Sequence, residues 1–176
     1  MATNVDLGGN TLYVSDIFYG DNTPGNLSGS SLVSTLGGEG QGVSLTAATY
    51  TPTTAQNGST FVFNVASGTT VTLPAPTVGL TYDFIVGTVA TSNAQKIITN
   101  ASGVHISGGI YIDKALAITR YDGDTTTIRS INLNGTTTGG ATIGDRITLV
   151  GVSSTQWTVS GTVTASGTLA TPFATS

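Results

Sequence analysis

Helix formers are scarce in this chain, with one Glu (Glu39) and two Lys (Lys96 and Lys114), and glycines interrupt most of its length. Short runs of β-branched and aromatic residues instead alternate with turn residues from end to end, which commits the chain to strands. Thr60-Phe61-Val62-Phe63-Asn64-Val65 leads through Ala66-Ser67-Gly68 to Thr69-Thr70-Val71-Thr72-Leu73, where Val71 and Leu73 share a face, and Pro74 and Pro76 stop the run. Thr81–Val86, Lys96–Thr99, Val104–Ile106 and Ile110–Ile112 follow, the last two set around a Gly108-Gly109 turn. Leu116–Tyr121 and Thr126–Ile131 flank Asp122-Gly123-Asp124, a hairpin signal. Asp145–Val150 and Gln156–Val159 close the series. Strands at this spacing predict an all-β fold, an antiparallel β-sandwich or small barrel over residues 46–176. Gly-Thr recurs without constant spacing, so composition explains it better than a solenoid does.

Residues 1–45 differ. Gly8-Gly9-Asn10, the cluster from Gly20 to Asn26 and the run from Gly37 to Gly42 leave room only for short strands. Between them Thr11–Tyr19 holds three of the chain's eleven Phe and Tyr. The expectation is an extended Gly-rich N-terminal arm whose Leu12, Tyr13, Val14, Ile17, Phe18 and Tyr19 pack on a partner. The alternative is a set of edge strands of the same domain.

Composition narrows the function. Of 176 residues, 34 are Thr, 17 Ser and 24 Gly, whereas Lys and Arg total 5 against 9 Asp and Glu. A net charge of −4 leaves too few cations for a phosphate backbone, so no nucleic-acid partner is expected. The absence of cysteine removes disulfides, cysteine nucleophiles and thiolate metal sites. With no cationic, apolar leader and no run of 18 apolar residues, neither a cleaved signal nor a membrane partner is expected.

Chemistry-bearing residues are few. His105, the only histidine, lies between Val104 and Ile106 and reads as a surface or interface residue. No Gly-x-Ser-x-Gly elbow accompanies it, so no catalytic residue is assigned and the chain reads as a non-enzyme. Asp113, Asp122 and Asp124 are the densest carboxylates, but they lack the pattern of a calcium loop and read as solvated turn residues; no metal or cofactor is expected. The glycines from Gly37 to Gly42 lack the Lys-Ser/Thr ending of a phosphate loop and read as a hinge. Sequons begin at Asn26, Asn57, Asn100 and Asn134, as chance allows in a Thr/Ser-rich chain. Trp157 reads as core, and no aromatic ladder for sugar stacking is evident.

Leu73-Pro74-Ala75-Pro76-Thr77-Val78-Gly79-Leu80-Thr81-Tyr82-Asp83-Phe84-Ile85-Val86 resembles a phrase that recurs in virion proteins of tailed bacteriophages, among them head-decoration (cement) proteins and some fibre-like proteins. Gly144–Val150, followed by Ser153–Val159 and Gly161, resembles the closing hairpin of the same family, and the resemblance spans roughly residues 57–173. It implies a structural protein on the outer capsid surface of the virion, bridging subunits of the major capsid protein, as a homo-oligomer with a trimer favoured over a dimer. A fibre or tail-appendage adhesin that binds carbohydrate is the alternative, and a free-standing carbohydrate-binding module a more distant one.

Overall fold

The computed structural model describes residues 5–6, 11–12, 40–115 and 117–176. The chain divides into two units, Met1–Leu32 and Val33–Ser176. In the first, β1 (Val5–Asp6) pairs antiparallel with β2 (Thr11–Leu12), Val5 opposite Leu12. In the sequence, the Gly8-Gly9-Asn10 cluster falls between the two. Leu12 thus has a strand position, whereas Tyr13, Val14, Ile17, Phe18 and Tyr19 lie outside the described residues.

The second unit is a β-sandwich. Its strands are β3 (Gly42–Leu45), β4 (Thr49–Tyr50), β5 (Thr60–Phe63), β6 (Thr70–Thr72), β7 (Thr81–Val86), β8 (Gln95–Ile98), β9 (His105–Lys114), β10 (Ala117–Asp122), β11 (Ser130–Leu133), β12 (Arg146–Gly151), β13 (Gln156–Thr164) and β14 (Phe173–Ala174). One sheet has the order β10-β9-β13-β12-β7-β5-β3 and the other β14-β11-β8-β6-β4. Because β3 is a strand of the larger sheet and Leu45 is buried in the core, residues 42–45 belong to the sandwich and not to the arm.

The expected sandwich forms, but its sheets are mixed. From β3 to β8 the chain changes sheet at every strand, so β3, β5 and β7 stack parallel in one sheet and β4, β6 and β8 stack parallel in the other. Residues 42–98 are therefore wound as three turns of a parallel coil. The turns are unequal: Gly42 aligns with Thr60 but Thr60 with Asp83, and Thr49 aligns with Thr70 but Thr70 with Lys96. Unequal turns leave no periodic signature in the sequence. The remaining strands are mostly antiparallel. β12 pairs with β7 and β13, and β11 with β8 and β14, while β9 runs parallel to β13.

Alternation builds the core. Phe61, Phe84 and Ile147 form one inward row across β5, β7 and β12, and Tyr50, Val71, Ile97, Ile131 and Phe173 form a row across the whole of the other sheet. Phe61 and Phe84 stack with centroids 5.3 Å apart, and Phe63 extends the stack at 5.8 Å from Phe84. Each such side chain taken fully from water is worth about 1.5–3 kcal/mol.

Two expected turns take other forms. Gly108-Gly109 is the interior of the ten-residue strand β9, with Gly108 at φ 91°, because the ladder to β13 continues through both glycines. Asp122-Gly123-Asp124 joins β10 to β11, which lie in different sheets, so it is a crossover and not a hairpin. The hairpin that does form joins β9 to β10, with Lys114 opposite Ala117 and Ala115 at φ 38°. The closing hairpin expected from Asp145 to Val159 is present, with Leu149 opposite Val159.

Candidate interaction surfaces

The outer face of the larger sheet is a hydroxyl-rich surface that carries two internal ion pairs, with Asp113 of β9 the one carboxylate of that face lacking an ion pair among the described residues. Ser160, Thr148, Asp83 and Thr60 form a row across β13, β12, β7 and β5. Asp83 pairs with the Arg146 guanidinium and accepts the Thr148 hydroxyl. Near the β10 edge Arg120 pairs with Asp122 at 2.6 Å and lies 5.9 Å from the centre of the Tyr111 ring. Ile118, on the same face, is 68% exposed.

Of the carboxylates singled out in the sequence, Asp124 anchors the fold and Asp122 pairs with Arg120. Asp124 Oδ1 accepts the backbone N–H groups of Thr126, Thr127 and Ile128 at 2.9, 2.6 and 3.0 Å. These bonds, with the Thr127 hydroxyl contributing most, hold its carboxyl well below the usual carboxylate range. They also explain why β11 starts at Ser130: residues 126–128 are turned around Asp124 instead of extending as a strand. Asp113 stands opposite Ile118 and Asp122 opposite Gly109 in the β9–β10 ladder, which separates the two by about 13 Å along the strands. The structure therefore does not gather the three into one site. Among the described residues no three His, Cys, Asp or Glu side chains form a metal-holding group, and no helix is long and apolar enough to cross a membrane.

His105 opens β9, is half-buried, and donates its backbone N–H to Thr155 O at 3.0 Å. Among the described residues its imidazole has no hydrogen-bonded carboxylate or serine partner, so no relay is assembled on it. Two of the sequon asparagines are turn anchors. Asn134 Oδ1 accepts from the N–H groups of Thr136, Thr137 and Thr138, and Asn57 Oδ1 from that of Thr81. Trp157 is fully buried, as expected.

Two features were not read from the sequence. The first is the edge formed by the first turn of the coil, where β3 and β4 are, among the described residues, the terminal strands of their sheets. Gln41 O and Leu45 O accept from Thr60 and Asn64 at 2.9 and 3.0 Å, so the backbone groups of Gly42 and Ser44 point away from β5. Gly42-Val43-Ser44-Leu45 carries none of the charged residues or prolines that usually blunt a sheet edge, in contrast to β10 with Arg120 and Asp122. The second is a polar groove around Lys96 on the outer face of the smaller sheet.

Searches against protein families, curated proteins and solved structures find no match. The surfaces themselves are what bears on function.

Proposed function

We propose that this chain is a structural virion protein, a decoration (cement) protein that binds the outer surface of a phage head and bridges subunits of the major capsid protein. The observation that carries this reading is the uncharged, unblunted edge of β3, because a strand edge of this kind recruits a strand from a partner. The hydroxyl-rich face of the larger sheet supports it, since its two ion pairs are internal and few charges stand there to be desolvated against a scaffold. A homotrimer is the favoured assembly, with a dimer as the other form. Leu12, Tyr13, Val14, Ile17, Phe18 and Tyr19 supply the apolar contacts of the arm to the capsid or to a neighbouring protomer.

Co-sedimentation with undecorated capsids tests the proposal. The full chain should co-sediment and protect the shell, and a chain lacking residues 1–20 should lose occupancy. A full chain that remains monomeric and never binds capsids overturns the function; unchanged occupancy after the deletion overturns the role of the arm alone.

The three-turn parallel coil favours a second reading, a fibre or tail-appendage adhesin, because stacked coils extend readily into shafts. A glycan array on which the chain gives no signal would count against it.

A further inference from the structure

The outer face of the smaller sheet carries a groove of about 420 Å³. Its floor is a single cross-strand row, Thr70 of β6 opposite Lys96 of β8 and Lys96 opposite Asn132 of β11. At about 4.8 Å between neighbouring strands, the row sets a hydroxyl, an ammonium and an amide in line over about 10 Å. That span suits one sugar ring with its substituents.

The rim is built rather than incidental. Asn93 Nδ2 donates to Ser67 O at 3.0 Å, which ties the loop after β5 to the loop before β8. Gly68 lies at φ 89°, and a Cβ there would stand 2.6 Å from Ala94 O, so the two loops close up only around a glycine. Beneath them the buried Gln95 accepts from Thr69 N at 2.9 Å and donates to Val65 O at 2.8 Å. The rim is thereby fixed to the core before any ligand arrives.

Lys96 is half-buried and, among the described residues, forms no ion pair. Of the described side-chain carboxylates of the second unit, Asp83 is engaged with Arg146, Asp122 with Arg120, Asp124 with the backbone around Thr127 and Asp145 with Thr164, while Asp113 stands in the β9–β10 ladder of the other sheet; Ser176 O accepts the Ser130 hydroxyl at 3.0 Å. Asn132 spends its Nδ2 on Ser130 Oγ at 3.3 Å, which leaves Oδ1 to accept, and the Thr70 hydroxyl has no partner among the described residues. One positive charge flanked by neutral hydroxyl and amide groups matches one carboxylate on a hydroxylated ring. A phosphate dianion would draw on clustered cations or convergent backbone N–H groups.

We propose that this groove binds an acidic sugar residue, with Lys96 on the carboxylate and Thr70 and Asn132 on the ring hydroxyls. The assignment does not rest on the decoration reading and goes beyond it.

The test is an NMR titration of the isotopically labelled full chain with N-acetylneuraminate and with D-glucuronate, and with D-glucose, acetate and inorganic phosphate as comparisons. A saturable response to at least one acidic sugar is expected at Thr70, Lys96, Asn132 and the two rim loops, with weaker responses to the comparisons. Lys96→Met should weaken binding about tenfold or more, the loss expected for one charge-assisted hydrogen bond, and Lys96→Arg should retain most of it. Asn132→Asp, which sets a like charge beside the ligand, should abolish binding and serves as the second variant if Lys96→Met does not fold. No saturable response to either acidic sugar overturns the proposal. So does phosphate binding as tightly as the sugars, or a Lys96→Met or Asn132→Asp chain that binds as the parent does.

Discussion

Tyr82 of β7 and Trp157 of β13 lie ring beside ring, with centroids 5.7 Å apart and planes inclined by 34°, although β12 separates their strands. Both side chains are fully buried, so the pair links the coil to the closing hairpin through the core. The emission of Trp157, the only tryptophan, should be blue-shifted in the native chain and move to the red on unfolding. Trp157→Ala should cost about 3–5 kcal/mol by denaturant titration. Trp157→Phe should cost clearly less, because Nε1 has no hydrogen-bond partner among the described residues and only volume is lost.

Tyr82 also sets an alkaline limit. Its hydroxyl donates to Thr53 O at 2.8 Å. Burial first, and then the neighbouring Tyr50 charge, push its pKa from 10.0 up to about 12. The folded value lies above the unfolded one, so the stability carried by neutral Tyr82 is fully present below pH 10.0 and is lost as pH rises through about 12. Tyr82→Phe should cost about 1 kcal/mol at neutral pH and should flatten the decline above pH 10. Denaturant midpoints between pH 7 and 11 check this, and an equal decline in both chains would assign the alkaline limit to another group.

Local patterning was legible wherever alternation met burial. The runs around Phe61, Val71, Phe84 and Leu149 are strands with those residues inward. Which strand each pairs with was not legible, because the parallel partners of the coil sit across a second sheet and turns of unequal length. Gly108-Gly109 resembles a turn in sequence, yet the glycine is needed for close approach to β13. The actual hairpin at Lys114–Ala117 carries no turn residue to announce it. Lys96 gave no signal either: Thr70, Lys96 and Asn132 are far apart in the chain and meet only through the register of β6, β8 and β11.

Gly108 offers a direct test of the β9–β13 ladder. A Cβ at this position would stand 2.2 Å from Val159 O and 2.8 Å from Thr158 Oγ1, at φ 91°. Gly108→Ala must therefore separate the two strands as well as strain the backbone, and should destabilise the chain by about 3 kcal/mol or more. Gly79 has a comparable φ of 86° but nothing within 4 Å of its added Cβ. Gly79→Ala isolates the backbone cost, about 1–2 kcal/mol. Equal losses in the two variants, measured by denaturant unfolding, would show that contact with β13 adds nothing.

The edge of β3 can be probed without disturbing the sandwich behind it. Residues 41, 43 and 45 face β5, so the Gly42 N–H points outward, and a Cβ added at Gly42 meets nothing within 4 Å. Proline there removes an outward donor and no bond to β5, which is the position in which a sheet edge tolerates it. Gly42→Pro should keep stability within about 1 kcal/mol of the parent while reducing self-association in sedimentation and occupancy on capsids. Gly42→Ala keeps the donor and should leave both unchanged. If the proline variant assembles and binds as fully as the alanine variant, partners reach this protein by a surface other than the edge of β3.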